Sequence, residues 1–313
     1  MTHQIAFVFP GQGSQSVGML NKLAQTHAIV QQTFEEASDA LDVDLWALAS
    51  DGPAEDLNQT FNTQPAMLAA GVAVWRVWRQ LHGEPPLMMA GHSLGEYTAL
   101  VCAGAIAFGD AVALVAERGR LMQEAVPPGE GAMAAILGLD DEQVRTLCAE
   151  AVDGDVVEAV NFNSPGQVVI AGSAAAVGRA MELAKAAGAK RAIPLPVSVP
   201  SHCALMKPAA VKLQLKLADV AIQAPRITVI QNVSVTSESD AEMIRQRLVE
   251  QLFSPVRWVE TVQKMQAEGV ELLVEAGPGK VLTGLARRID RKLNAVALFE
   301  PQGFEDLLES INE

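Results

Sequence analysis

Ser93 is the residue in this sequence best placed to act as a nucleophile. It stands in Gly91-His92-Ser93-Leu94-Gly95, directly after the apolar run Leu87-Met88-Met89-Ala90 and ahead of the helix-like stretch Glu96-Tyr97-Thr98-Ala99-Leu100-Val101. Strand, tight turn and helix with a serine at the bend is the arrangement that pushes a hydroxyl out at a strand tip. Small residues on either side let the backbone turn that sharply. The helix start then leaves backbone N–H groups free beside the hydroxyl, where a developing oxyanion would sit. A plain tight turn is the alternative for such a five-residue pattern.

A serine hydroxyl is a weak nucleophile and needs a base, for which histidine suits neutral pH best. The chain has five histidines. His3 is terminal, and His27 and His82 fall in polar stretches expected to be exposed. His92 adjoins Ser93 and is expected to pack beneath the elbow, near bound substrate. By elimination the base is His202, in Pro200-Ser201-His202-Cys203, a break between a predicted strand and a predicted helix. The competing reading is a capping or surface histidine. Acids between Ser93 and His202 are unpersuasive: Asp140, Asp141, Asp153 and Asp155 all fall in predicted helix starts or loops. A backbone carbonyl is then the alternative orienting group, making a dyad.

Arg118 is the second informative residue. Residues 110–125 predict an amphipathic helix in which Glu117, Arg120 and Glu124 share one face and Leu114, Arg118, Leu121, Met122 and Ala125 the other. A guanidinium on an apolar stripe keeps its charge and needs an anionic partner. That partner is either a structural carboxylate or the carboxylate of a substrate, which arginine's flat fork binds in two-point fashion.

Two glycine-rich stretches invite a nucleotide-binding reading and do not support it. Gly11-Gln12-Gly13-Ser14-Gln15 has Ser16 where a dinucleotide loop needs its third glycine. Its open backbone instead allows the Gln12 N–H to join that of Leu94 in an oxyanion hole. Gly277-Pro278-Gly279-Lys280 has Val274 and Val281 where a phosphate loop needs glycine and Ser/Thr. One basic cluster stands out, Arg287, Arg288, Arg291 and Lys292. The pairs 287/291 and 288/292 are one helical turn apart, on a single predicted face. It is either a solvated surface or a docking patch for an acidic partner, with Lys190, Arg191 and Lys280 as additions.

The elements that must position these groups read as α/β. The chain has 313 residues, half of them hydrophobic, enough for a large core. Residues 5–9 predict a buried strand ending at Pro10, and a helical region runs to about Trp78 before the strand and elbow at Ser93. That alternation implies a mainly parallel sheet covered on both faces. From 131 to 197 the rhythm changes to βαββαβ, the split-βαβ, ferredoxin-like order. Strands are expected at 132–137, 156–160, 168–171 and 192–197. The helices at 140–151 and from 174 to about 187 have Asp140 and Ser173 as caps, and Gly188 ends the second. The expected organisation is a hydrolase-like α/β domain over 1–127 and 198–313, with a small inserted subdomain over 128–197. Beyond it, 204–220 predicts a helix and 227–232 and 272–275 returning strands.

The formal charge of −14 argues against general affinity for nucleic acid or anionic membranes. Cys102, Cys148 and Cys203 have no metal-like spacing and suit reduced thiols in a cytosol. The N-terminal residues lack a cationic flank, and no stretch is long and apolar enough to span a membrane. A cytoplasmic monomer is the expectation.

With these residues assembled, the chain resembles the malonyl-CoA:acyl carrier protein transacylases of bacterial fatty acid synthesis. The resemblance runs from Phe7-Val8-Phe9-Pro10-Gly11-Gln12-Gly13-Ser14-Gln15 through the Gly91–Glu96 stretch, Arg118-Gly119 and Gly131-Ala132-Met133-Ala134-Ala135. It continues with Asn161-Phe162-Asn163-Ser164-Pro165-Gly166-Gln167, Pro200-Ser201-His202, Gln251-Leu252, Pro255-Val256, and Glu275 with Gly277-Pro278-Gly279. It implies Ser93 as the acyl-accepting nucleophile, His202 as general base and acid, and Arg118 as ligand of the malonyl carboxylate. It makes the Gln12 and Leu94 N–H groups oxyanion donors and the Gln251 main-chain carbonyl the group that orients His202. The implied partners are malonyl-CoA and acyl carrier protein, with no cofactor beyond the CoA and phosphopantetheine carried by the substrates. Related polyketide acyltransferase domains selective for malonyl often have Phe before the catalytic His, where this chain has Ser201. Leu94 fits malonyl better than the Gln common in methylmalonyl-selective domains. A serine hydrolase or thioesterase uses the same groups, and a non-catalytic carrier-binding module is the rival from another class.

Overall fold

The computed structural model describes residues 4–197 and 199–312. His3, and Ser198 at the expected return from the insert, lie outside the described residues. Nine strands are described: β1 (Ile5–Phe9), β2 (Met88–Gly91), β3 (Gly131–Leu137), β4 (Val157–Ser164), β5 (Gln167–Ser173), β6 (Arg191–Pro194), β7 (Thr228–Ile230), β8 (Leu272–Ala276) and β9 (Asn294–Leu298). The wholly buried run in β1 makes it a central strand of a parallel sheet, order β7-β2-β1-β8-β9. Helices on both faces explain why its strands read as continuous apolar runs rather than alternating ones. The edge strand β9 was not among the expected strands.

Register decides where chemistry can occur. Phe9 pairs with Gly91, so the loop after β1 and the elbow after β2 leave the sheet side by side at its carboxyl edge. That edge is where open α/β sheets bind ligands. Gly91 and Gly95 are required by close approach. A Cβ on Gly91 would lie 1.7 Å from the Gly95 carbonyl carbon, and one on Gly95 would lie 2.0 Å from Phe9 O. The Phe108–Ala125 helix packs against the Thr60–Gln80 helix, burying Leu114, Arg118, Leu121 and Met122 as its spacing predicts.

The second sheet, order β4-β5-β3-β6, is antiparallel throughout, the strand order of the split-βαβ motif. One face packs under the Asp141–Ala151 and Ala174–Ala186 helices through Ala134, Ile136, Val168 and Ile170. The alternate residues Met133, Val169 and Ala171 pack with Cys203 on the other face. A bulge in β4 between Ala159 and Asn161 sits where the strand meets the first part of the fold: Val256 N donates to Val160 O, and Phe162 N to Val256 O. Bulges re-aim side chains, and Asn161 and Asn163 both line the cavity described below.

Three local expectations are corrected. Asp140 caps its helix through a capping box with Gln143, but Ser173, though at the N-cap position, makes no side-chain bond to its helix. Its hydroxyl donates to Val156 O instead. The helix carrying Arg287 and Arg288 ends at Ile289, and Lys292 N donates to the Asp290 carboxylate. Arg291 and Lys292 therefore lie beyond the helix, and the single four-residue face does not exist. His27, expected to be exposed, is half-buried near Phe304. The three cysteines are free thiols. Among the described residues no helix is long and apolar enough to cross a membrane, and no group of His, Cys, Asp or Glu could hold a metal ion.

Candidate active site

Ser93 follows β2 at the start of the Gly95–Cys102 helix, with its backbone in the left-handed region at φ 51°. A non-glycine residue there costs free energy and persists only when its surroundings over-determine it. Its N–H donates to Asn232 Oδ1 at 2.8 Å, and its C=O accepts from Gln251 Nε2 at 3.1 Å. The hydroxyl is 2.8 Å from His202 Nε2. His202 also has positive φ and is tied by its own N–H to Leu252 O.

The tautomer of His202 follows from its other partner. Nδ1 lies 2.7 Å from the main-chain oxygen of Gln251, which can only accept, so Nδ1 carries the hydrogen. Nε2 is then the free lone pair and accepts from the Ser93 hydroxyl. Burial and the nearby Arg118 charge push His202 down to about 3, against a smaller upward pull from its bond to Gln251. The imidazole therefore rests neutral. None of the acids Asp140, Asp141, Asp153 or Asp155 meets it: Asp140 caps its helix and Asp155 pairs with Arg179.

Arg118 is 1% exposed. Its Nη1 donates to Gln64 Oε1 at 2.7 Å, and its Nη2 donates to Gln251 Oε1 at 3.1 Å and to Ser93 Oγ at 3.4 Å. The guanidinium carbon sits 5.4 Å from the Tyr97 ring centroid. Among the described residues no carboxylate is in contact with it, and Glu117 on its own helix pairs with Arg120 instead. A buried cation held by neutral amides, with one edge against the serine, is a receptor for an anion.

Ser93, His202, Arg118, Gln12, Leu94 and His92 line one cavity of about 220 Å³. The Gln12 and Leu94 amide N–H groups have no protein acceptor among the described residues. His92 packs against Trp258, 5.5 Å between ring centroids, and meets Asn163 Oδ1 at 2.7 Å. Burial lowers its pKa. Ser201 also lines the cavity, and its hydroxyl donates to Val199 O. Gln251 reaches the site from the end of a helix on two counts, its carbonyl and its buried side chain. The basic cluster is not in the cavity. Arg288 donates to Gln167 at the start of β5, and Gln167, Leu137 and Arg191 are paired across the small sheet in one row. That row places Arg288 and Arg191, with Lys190 beside it, along one side of the sheet. The sequence reading missed Gln64, Asn232 and Asn163 as site groups. Only Asn163 falls in a stretch the sequence singles out, Asn161–Gln167, since amides carry no periodic signature.

Glu275 settles the neighbouring glycine-rich stretch. Its buried carboxylate accepts from Leu282 N, Thr283 N and Thr283 Oγ1. The helix start that a phosphate would need is already occupied by this anion.

Residues 6–296 match the acyl transferase domain family. The chain is 61% identical over 306 residues to the malonyl CoA-acyl carrier protein transacylase of Escherichia coli (strain K12), covering 98% of this chain and 99% of that protein. The solved malonyl CoA-acyl carrier protein transacylase of Coxiella burnetii superposes with a TM-score of 0.99 at 49% identity, covering 100% of this chain and 99% of that one. A malonyl-transacylase solved in complex with its type II polyketide synthase acyl-carrier protein superposes at 0.97 with 57% identity, covering 98% and 99%.

Proposed function

The chain belongs to the acyl transferase domain family, and on that premise we propose that it moves a malonyl group from malonyl-CoA to the phosphopantetheine thiol of acyl carrier protein through a malonyl ester on Ser93. The observation that carries the choice of acyl group is Arg118, a buried cation without a carboxylate partner, 3.4 Å from Ser93 Oγ. A malonyl ester on Ser93 would bring its free carboxylate to that guanidinium.

In the first half-reaction the Ser93 oxygen attacks the thioester carbonyl while its proton passes to His202 Nε2. The oxyanion of the tetrahedral intermediate takes the Gln12 and Leu94 N–H groups, each such donor being worth about 10²–10³ in rate. Collapse breaks the C–S bond, and the proton on Nε2 goes to the departing CoA sulfur. The second half-reaction reverses these roles. The carrier's thiol gives its proton to Nε2 and attacks the ester carbonyl, the C–Oγ bond breaks, and Ser93 recovers its proton. Residues 128–197 act as an inserted subdomain that covers the elbow and keeps water from the ester. Carrier docking is proposed for the cations Arg191, Lys190 and Arg288, with Arg287, Arg291 and Lys292 as the remaining cations of the sequence cluster.

Intact-mass measurement after brief exposure to malonyl-CoA and acetyl-CoA tests this reading. Wild type is expected to gain one malonyl group per chain and pass it to carrier protein faster than it releases malonate. Ser93→Ala should gain none. Arg118→Ala should lose about 10- to 100-fold in malonyl over acetyl preference, the worth of a charge-assisted bond. A label persisting in Ser93→Ala overturns Ser93 as the nucleophile, and free malonate as the main product refutes the transferase reading in favour of a thioesterase.

A further inference from the structure

Glu96 is the second residue of the Gly95–Cys102 helix, 1% exposed, and the transfer chemistry above gives it no task. One oxygen, Oε2, accepts two hydrogen bonds of 2.9 Å, from the Asn232 backbone N–H and from Gln251 Nε2. Those two residues grip both ends of the nucleophile. Asn232 Oδ1 takes the Ser93 N–H while its Nδ2 donates to Gly91 O at 2.7 Å. Gln251 Nε2 also donates to Ser93 O.

A side-chain amide has a donor end and an acceptor end. With the Gln251 nitrogen shared between Glu96 and Ser93, its oxygen must face Arg118 Nη2. Removing the acceptor at position 96 leaves the amide nitrogen with Ser93 O alone, so the side chain that meets Arg118 Nη2 loses one of the three bonds that fix its place. The main-chain oxygen of the same residue holds His202 Nδ1. Nucleophile, base and carboxylate receptor thus meet at Gln251.

We infer that Glu96 is a positioning residue for acyl transfer: its Oε2 fixes the Gln251 side chain and the Asn232 main chain, and through them the Ser93 elbow and the aim of Arg118 at a carboxylated acyl group. This inference rests on the transferase reading above. The other oxygen, Oε1, has no hydrogen-bond partner. A proton or an amide nitrogen there leaves both bonds to Oε2 intact. Burial raises Glu96 to about 7, so a neutral group at this place is consistent with the fold.

Two variants separate the acceptor oxygen from the charge. Glu96→Gln keeps one oxygen able to take both donors; Glu96→Met keeps volume and removes the acceptor. CoA release from malonyl-CoA and acetyl-CoA is followed for each, with thermal unfolding alongside. Glu96→Gln is expected to retain the acylation rate and malonyl preference within about threefold. Glu96→Met should lose at least about tenfold in malonyl preference, with KM for malonyl-CoA raised, beyond any slowing shared by both donors. A Met variant with intact preference, or a Gln variant as impaired as Met, overturns the inference. Should Glu96→Met fail to fold, Gln251→Met takes its place. It keeps the carbonyl on His202 and removes only the amide, so unchanged malonyl preference there overturns the inference equally. Wild type that forms no malonyl-serine ester would instead refute the transferase reading itself.

Discussion

Two influences press on His202 in the same direction. Burial disfavours the imidazolium, and the Arg118 guanidinium repels it, so the group is held down to about 3 despite its bond to the Gln251 carbonyl. The form able to accept the Ser93 proton is therefore present wherever the protein is folded. With malonyl-CoA well below saturation, where the rate reports the free protein, acylation is expected to stay level as pH falls from 8 to about 5.5, with no loss centred at the ordinary histidine value of 6.5. A pH profile of CoA release checks this, and an acid limb with its midpoint at 6.5 contradicts it. The stability consequence has a definite sign. Between 6.5 and about 3 the unfolded chain binds a proton that the native state does not, so the contribution of His202 is present above 6.5 and lost as pH falls through that window. At this scale Ser93, His202 and Arg118 were legible in the sequence. One lies in a strand–turn–helix motif, one is left by elimination among five histidines, and one breaks an apolar stripe. Gln64 and Asn232 were not, because their partners Arg118 and Ser93 lie 54 and 139 residues away and an isolated amide announces nothing. Gln251 was read for its carbonyl alone, for the same reason.

An elbow of this kind is a contact between elements before it is a catalytic feature. The Gly95–Cys102 helix can follow β2 so closely because Gly91 presents no side chain to it, and the helix can lie against β1 because Gly95 presents none to Phe9 O. In Gly91→Ala the new methyl would fall on main-chain atoms of Gly95 and Glu96, which no rotamer change relieves. Denaturant unfolding should show a loss of about 3 kcal/mol or more, if folded protein is obtained. Gly178 in the Ala174–Ala186 helix is the control, since a Cβ there meets nothing within 4 Å. Gly178→Ala should gain about 0.5–1 kcal/mol through helix propensity. Equal stability of the two variants would show that the elbow tolerates a side chain. Elements were legible where burial imposes a period, as in the Phe108–Ala125 helix and the alternating residues of β3 and β5. They failed at ends and edges. Asp290 stops a helix by taking the Lys292 N–H in a local turn, which outweighs the charge spacing that suggested continuation. Strand β9 carries its apolar residues on an edge, with Asn294 and two half-buried positions, too weak a pattern to stand alone.

For the whole molecule the question is how a chain of net charge −14 would attract the acidic carrier proposed for it. Long-range repulsion must be offset by a local field, and local fields are set by tertiary placement rather than by sequence neighbours. Arg191 and Arg288 are 97 positions apart in sequence, yet Arg288 touches Gln167 and Gln167 shares a sheet row with Leu137 and Arg191. Two strand spacings put the Arg191 and Gln167 backbones about 10 Å apart, within about one Debye length at 0.1 M salt. A partner docked on this row would meet both cations together, and Leu195, four residues beyond Arg191, already lines the cavity. Reversing both, Arg191→Glu with Arg288→Glu, should slow malonyl transfer to carrier protein by about tenfold or more at low ionic strength, with the deficit shrinking toward 0.5 M salt as screening shortens to about 4 Å. Acylation from malonyl-CoA, measured on the same variant, separates the two anionic substrates. An undiminished first half-reaction assigns the row to the carrier. An equal loss in both halves assigns it to the phosphates of CoA, and no loss in either leaves carrier docking to another face.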